Sequence, residues 1–390
     1  MKAPAPFNFS HATNRVVFAA DSLDQLPKIA EFERRQRALV IIDEFFIDGD
    51  LHKRLADLLH SFNPVFHGVP QHEPDTDTVE AARQILVDSN ADLVIAIGGG
   101  TAMDTAKAAR MAASNPGPIE DIVGPVGVFM LASSSLLICV PTTAGTGSEV
   151  SSSAIVAKKG TDYKMVLNSP QMSAQIALLD PLLSVTAPAS VTAASGYDAV
   201  THAVEAFTSK VSGPMTDPFA RSAMTLLSAA LPVAYREPEN IEARSMCLVG
   251  SMQAGIAFNS AHLGLAHAIA GALGALNHVP HGLANSFGLP WTMTFNQPEL
   301  GAKGDEIARI FNGATAAAGL SKLRYEIGLD LSLDDWVTDD AGRDAVAAGA
   351  MKSGQIRVNP RLPNEQQIRL IVEAMRAPTG GDQPQFSTSI

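Results

Sequence analysis

Three near-continuous apolar runs of strand length, "RALVIIDEF" (37–45), "ADLVIAIGGG" (91–100) and "LLICVPTTAG" (136–145), constrain the first half of this chain most strongly. A strand without polar alternation is buried on both faces, as parallel strands are when helices cover each side. The segments between them, "DLHKRLADLLHSF" and "TDTVEAARQILVDSN", carry apolar residues at helical spacing. Alternating strands and helices predict a parallel sheet wrapped by helices. After "IALLDPLLSVTAP" the pattern changes. From about residue 186 the chain is rich in alanine, leucine and methionine at helical spacing, so this half is predicted all-helical. A chain of 390 residues is expected to form two domains, here 1–185 (α/β) and 186–390 (all-α). The last stretch, "APTGGDQPQFSTSI", is polar enough to read as a loose tail.

Composition removes several function classes. A formal charge of −12 offers no basic face for nucleic acid or anionic membranes. No run of about 20 apolar residues exists to span a bilayer, and the start lacks the apolar stretch of a secretion signal. The expectation is a soluble, cytoplasmic protein. Cys139 and Cys247 lie in apolar surroundings and read as small buried hydrophobes, not as a disulfide or a metal site.

Two loops suggest a nucleotide. "IAIGGGTAMDTAK" (95–107) is a strand, a glycine turn and a helix, and Gly98, Gly99, Gly100 and Thr101 place free helix-terminal amides where a pyrophosphate suits them. It is neither G-x-G-x-x-G nor a P-loop. A second loop, "PTTAGTGSEVSSS" (141–153), follows another apolar strand with the hydroxyls of Thr142, Thr143, Thr146 and Ser148. A tight turn explains either loop alone; one phosphate-bearing ligand across the carboxyl ends of parallel strands explains both. Asp43, ending "ALVIID", is then either a helix cap or the acceptor for the ribose hydroxyls of an adenosine, where it would repel a 2′-phosphate. Lys164 is either a solvated surface charge or a positive partner for the nucleotide.

The second half holds a different constellation. "GYDAVTHAVEAF" (196–207) puts Asp198 and His202 on one helix face. In "HAIAGALGALNHVPHG" (267–282), an unbroken helix would leave His267 and His281 about 21 Å apart. Pro280 argues for a break near Asn277 that turns the chain back. One carboxylate and three imidazoles make a divalent first-row metal site with room for water or substrate, and a shared ion would hold the broken helix together. A buried carboxylate and imidazole bonded to each other is the plainer reading of Asp198 and His202 alone. His278 reads as a loop residue.

The blocks "GGGTAMDTAK", "PTTAGTGSEV", "YDAVTHAVEAF" and "LGLAHAIAGALGALNHVPHG", followed by "NPR" (359–361), make the chain resemble the iron-containing alcohol dehydrogenase family over nearly its whole length. The resemblance implies a dehydroquinate synthase-like fold, an N-terminal dinucleotide-binding domain with a parallel sheet and an all-helical domain carrying the metal and substrate. It implies metal ligands at Asp198, His202, His267 and His281. Cofactor contacts are implied at Asp43, Gly98 to Thr101, Asp104, Thr142, Thr143, Thr146, Ser148 and Lys164. NAD(H) and a divalent ion, Fe²⁺ first and Zn²⁺ second, are the cofactors it implies, with a small alcohol or aldehyde as substrate and a homodimer or other homo-oligomer as the assembly.

Two departures affect the chemistry. The family commonly carries a further histidine four residues after the third ligand, near the nicotinamide; here that position is Gly271. Conversely His262 stands in "NSAHLGLAH", where relatives usually have another residue, and it or a cofactor ribose hydroxyl with water is the alternative proton carrier. Lys352 and Arg357 also depart from the family pattern, either as surface charges or as a basic pair for an anionic substrate. The expected activity is hydride transfer between NAD(H) and the alcohol or aldehyde carbon of a metal-bound substrate, possible anionic groups included. The alternatives are a maleylacetate reductase-like reductase, a lyase or cyclase on the related scaffold, and a nucleotide-binding regulatory protein without turnover.

Overall fold

Alternation in the apolar runs decides how the first unit packs. In β2 (Ala38–Asp43) the side chains of Leu39 and Ile41 join one apolar layer while Ala38, Val40 and Ile42 join the other. The same division holds in β4 (Leu93–Gly98) and β5 (Leu136–Pro141), so both faces of the sheet are covered. The computed structural model describes residues 9, 11, 13–122, 131–161 and 163–382. These residues divide into two compact units, one within Ser10–Ser184 and the other formed chiefly by Val185–Ile390.

In the first unit, β1 (Arg15–Phe18), β3 (Val65–Val69) and β8 (Ile176–Leu179) complete a six-stranded parallel sheet in the order β1-β8-β5-β4-β2-β3. Helices α1 (Leu26–Phe32), α2 (Asp50–Leu58), α3 (Thr76–Ser89), α4 (Gly100–Ser114) and the short α5 (Ile119–Ile122) connect them. β6 (Ser153–Ala157) and β7 (Lys164–Asn168) form a separate antiparallel hairpin. After β2 the chain moves outward to β3, whereas β4 lies on the other side of β2 and leads on to β5. The connections leaving β2 and β4 thus run in opposite directions, and the switch point falls between the carboxyl ends of those two strands. Open α/β sheets bind ligands there.

The second unit is helical throughout its described residues: α6 (Ala189–Thr208), α7 (Asp217–Arg236), α8 (Ile241–Ala261), α9 (Leu265–Asn277), α10 (His281–Leu300), α11 (Ala302–Ile310), α12 (Ala316–Glu326), α13 (Asp340–Met351) and α14 (Glu365–Ala374). α6 is the central helix, buried along most of its length and packed on α7, α8 and α10. α9 ends at Asn277, His278 takes the left-handed conformation (φ 54°), and α10 begins one residue after Pro280. α13 and the 3-10 turn Gly354–Val358 both pack on α9. Of the polar C-terminal stretch, residues 383–390 lie outside the described residues. Just before them, Thr379 and Gly380 donate their backbone N–H groups to the Asp330 carboxylate at 3.0 and 2.6 Å. That part is tied down.

Candidate metal centre and dinucleotide loops

In the helical unit, α6 presents Asp198, His202 and Glu205 at i, i+4 and i+7, on one face and all buried. His267 in the first turn of α9 and His281 at the start of α10 meet that face. The rings of His267 and His281 lie 5.4 Å apart between centroids, and His202 stacks on His267 at 4.6 Å. One donor atom from each of Asp198, His202, His267 and His281 falls within a sphere where all are within 4.8 Å of one another. Asp198 Oδ1 is 3.6 Å from His267 Nε2 and 3.5 Å from His281 Nε2. Tetrahedral ligands about 2.0–2.1 Å from a divalent ion are separated by about 3.4 Å, so the donor set fits such an ion in both chemistry and spacing. The His281 side chain is 47% exposed while the other three are buried, which makes its side the open one.

The surrounding groups support this orientation. Glu205 Oε2 lies 2.6 Å from His267 Nδ1, so Nδ1 donates and the Nε2 lone pair faces the ligand cluster. Asn285, fully buried on α10, donates from Nδ2 to Asp198 Oδ1 at 2.7 Å, and its Oδ1 has no hydrogen-bond partner. Burial opposes charge on both Asp198 and His267. The three imidazoles outweigh it for Asp198 and hold that carboxyl well below the usual range; the hydrogen bonds to Asp198 and Glu205 outweigh it for His267, pushed up to about 9. Sequence reading missed Glu205 and Asn285, although Glu205 continues the Asp198 and His202 face and Asn285 lies four residues after His281.

His262 and Gly271 fall differently. His262 caps the C-terminus of α8 with φ 58° and an exposed side chain, outside the cluster of Asp198, His202, His267 and His281. Gly271 lies one turn beyond His267 on α9, and a Cβ there would meet nothing within 4 Å. Nothing in the surroundings of Gly271 opposes a Cβ at this position. Lys352 and Arg357 are both exposed, Lys352 directly after α13 and Arg357 in the 3-10 turn, the two elements that pack on α9.

In the α/β unit, Asp43 and Gly98 stand beside each other across the switch point. Gly98 has φ 149°, and a Cβ on it would lie 3.1 Å from Asp43 Cβ and 3.0 Å from Ala102 Cβ. Only glycine fits this turn. Gly99 is the N-cap of α4 and supplies no side-chain cap, so the first amides of α4 keep their capacity for an anion. Thr142 N–H donates to Gly98 O at 3.0 Å, which joins the two loops. A Cβ on Gly100 would press on Thr146 Cγ2 at 3.0 Å, and Thr143 Oγ1 lies 3.7 Å from a Cβ on Gly99. Asp43 also accepts from Phe45 N–H at 3.1 Å, so its capping role is real; burial is the main force raising its carboxyl.

Other expected cofactor contacts have protein partners. Thr101 Oγ1 donates to His72 O at 2.9 Å, and Lys164 forms an ion pair with Glu73 at 2.6 Å. Asp104 uses both carboxylate oxygens, accepting from Ser148 Oγ at 2.6 Å and Ile155 N–H at 2.9 Å. It fastens the second loop onto α4 from behind. Lys107, unnoticed in the sequence, does the same: its fully buried ammonium donates to Ser148 Oγ, Ser151 Oγ and Ser153 O at 2.8, 3.2 and 2.9 Å. The signal was the i, i+3 spacing of Asp104 and Lys107. Cys139 and Cys247 are buried free thiols, each pushed up by burial to about 12.

Known proteins share the sequence pattern and the fold of this chain. The family model "Iron-containing alcohol dehydrogenase" matches residues 13–181, and "Fe-containing alcohol dehydrogenase family, C-terminal" matches 192–376. The NAD-dependent methanol dehydrogenase of Bacillus methanolicus is 31% identical over 354 residues, covering 87% of this chain and 92% of that one. The 1,3-propanediol dehydrogenase of Klebsiella pneumoniae is 34% identical over 353 residues, covering 86% and 90%. Among solved structures, sulfoacetaldehyde reductase from Bifidobacterium kashiwanohense, in complex with NAD⁺, superposes with a TM-score of 0.89 at 26% identity over 95% of this chain and 99% of that one. No single helix among the described residues is long and apolar enough to cross a membrane.

Proposed function

The chain belongs to the iron-containing alcohol dehydrogenase family, and from that premise we propose that Asp198, His202, His267 and His281 hold a divalent ion, iron before zinc. It is an oxidoreductase that interconverts an alcohol and an aldehyde with NAD(H). The observation that carries the metal assignment is the convergence of four donor atoms within 4.8 Å. When bound, the ion supplies Lewis-acid polarisation of the substrate oxygen, and the nicotinamide supplies or accepts the hydride. The protein's part is to orient and to manage charge. Glu205 fixes the tautomer of His267, and Asn285 holds Asp198 Oδ1. Gly98 to Thr101, Thr142, Thr143, Thr146 and Ser148 receive the dinucleotide, with Asp43 at the ribose and Asp104 and Lys107 keeping the loops in place. Lys164, paired with Glu73, adds a more remote charge. The proton passes through His262, exposed at the end of α8, or through a cofactor ribose hydroxyl with water. The roles follow the division into a dinucleotide-binding unit, 1–185, and a metal-binding and substrate unit, 186–390.

The substrate we assign is an aldehyde or alcohol bearing an acidic group. Three observations support it: the open space at Gly271, the cationic Lys352 and Arg357 on elements packed against α9, and a structural relative named for a sulfonate-bearing aldehyde. The test is kcat/KM for matched neutral and anionic aldehydes with NADH, in wild type and Arg357→Ala. A preference for the anionic member that falls in the variant supports the reading, and a preference for neutral substrates indifferent to Arg357 contradicts it. A maleylacetate reductase-like activity without metal leaves the four converging ligands unexplained. A cytoplasmic homo-oligomer is part of the same reading. The edge strand β1, with Val16 and Phe18 exposed, and the two free thiols support it.

A further inference from the structure

The N-terminus of α9 is built on a single buried carboxylate. Glu205 is buried on α6, and its carboxylate is held by two backbone amides and one imidazole. It accepts from Gly264 N–H at 3.0 Å on Oε2, from Ala266 N–H at 2.7 Å on Oε1, and from His267 Nδ1 at 2.6 Å on Oε2. The remaining early amide, Leu265 N–H, goes to Asn359 Oδ1 at 3.2 Å. Gly264 permits this approach, because a Cβ there would stand 3.0 Å from Glu205 Oε1 and 2.9 Å from Asn359 Oδ1.

An ordinary helix cap needs no carboxylate at this depth, and a cap alone does not need the imidazole bond. We propose that Glu205 is the positioning residue of the metal centre, holding His267 as the Nδ1–H tautomer with its Nε2 lone pair directed at the ion, while anchoring the first turn of α9 that carries it. The carboxylate makes the imidazole a more basic ligand through the shared proton, as a carboxylate behind a ligating histidine does in general. It also completes the charge: Asp198 and Glu205 together carry two negative charges against a divalent ion. The proposal rests on the assignment of the four ligands to a metal.

The substitution E205Q tests the positioning role. Glu205 uses two oxygens where glutamine has one carbonyl: at the Oε1 position that carbonyl keeps Ala266 N–H and the NH₂ faces His267 Nδ1, which leaves the proton on Nε2, whereas at the Oε2 position it keeps Gly264 N–H and His267 Nδ1 only as a neutral acceptor, so either way the imidazole is a poorer ligand. Metal-stripped wild type and E205Q are titrated with Co²⁺ against a competing chelator, following the visible d–d absorption. The expected result is one Co²⁺ per chain in wild type, and about 10- to 100-fold weaker binding with a changed d–d band in E205Q, at unchanged far-UV circular dichroism. Equal Co²⁺ affinity in a folded E205Q overturns the role of Glu205 alone. A wild type that binds no Co²⁺ overturns the metal assignment, and this proposal with it. If E205Q does not fold, ¹⁵N-histidine NMR of the Zn²⁺-loaded wild type decides: a proton on Nδ1 of His267 supports the proposal and a proton on Nε2 contradicts it.

Discussion

His267 and His281 belong to different helices, α9 and α10, yet their rings lie 5.4 Å apart because the chain reverses at His278, Val279 and Pro280. The reversal places one imidazole inside the helical unit and leaves the other at its open side. A cluster of four donor residues drawn from three helices thus has three buried members and one exposed one.

On the reading proposed above, Asp43 sets the cofactor preference. Its carboxylate stands beside Gly98 at the switch point, where an adenosine ribose belongs. Wild type is expected to favour NAD(H) over NADP(H) in kcat/KM by about tenfold or more, since juxtaposed like charges are strongly unfavourable. Asp43→Asn keeps an acceptor for Phe45 N–H and should narrow the ratio. Equal efficiency with both cofactors in wild type would place Asp43 away from the ribose.

Gly271 is a glycine inside a helix with room for a side chain. Gly271→Ala should raise stability by about 0.5–1 kcal/mol through the helix backbone alone. Gly271→His should fit as well, but should lower kcat/KM for bulky or anionic aldehydes more than for small neutral ones. Thermal unfolding and a substrate panel test the two halves separately. A loss of stability in Gly271→Ala would mean that the space is not open.

Lys107 is the anchor under the second loop. Lys107→Met removes three hydrogen bonds and leaves Asp104, 4.0 Å away, without its cation. Removing one partner of a buried pair typically costs about 3–5 kcal/mol. Urea unfolding should show a loss of that order, and NADH fluorescence titration should show weakened binding in whatever remains folded. Unchanged NADH affinity would detach this anchor from the cofactor.

Glu149, buried in the same loop, is pushed up by burial to about 7, with Lys107 acting in the opposite sense. Between the ordinary glutamate range and pH 7 the folded protein keeps a proton that the unfolded chain has released. Stability therefore falls as pH rises through that window, by on the order of 3 kcal/mol. Glu149→Gln should remove this slope. Equal stability slopes from pH 4.5 to 7 in wild type and Glu149→Gln would contradict the assignment.

What the sequence made legible was whatever depended on local spacing. The apolar runs marked β2, β4 and β5, Pro280 marked the helix break, and the i, i+4 spacing of Asp198 and His202 marked half of the ligand set. Less legible was which polar atoms the fold would consume. Thr101 gives its hydroxyl to His72 O, Lys164 pairs with Glu73, and Asp104 spends both oxygens on Ser148 and Ile155. Those partners lie far away in sequence, so spacing carries no record of them. Glu205 was within reach of the helical period, but its meaning comes from α9, which the sequence does not place.

The metal content of protein purified without oxygen, measured together with NADH-dependent aldehyde reduction in wild type and His267→Ala, tests the central claim most directly. The three remaining ligands should hold the ion poorly, whereas the helical unit has its own apolar core, so the variant should fold. The account predicts about one iron per chain and turnover in wild type, and in the variant little metal, native circular dichroism and a loss of turnover of about 100-fold or more. Stoichiometric metal with unchanged turnover in His267→Ala would contradict it.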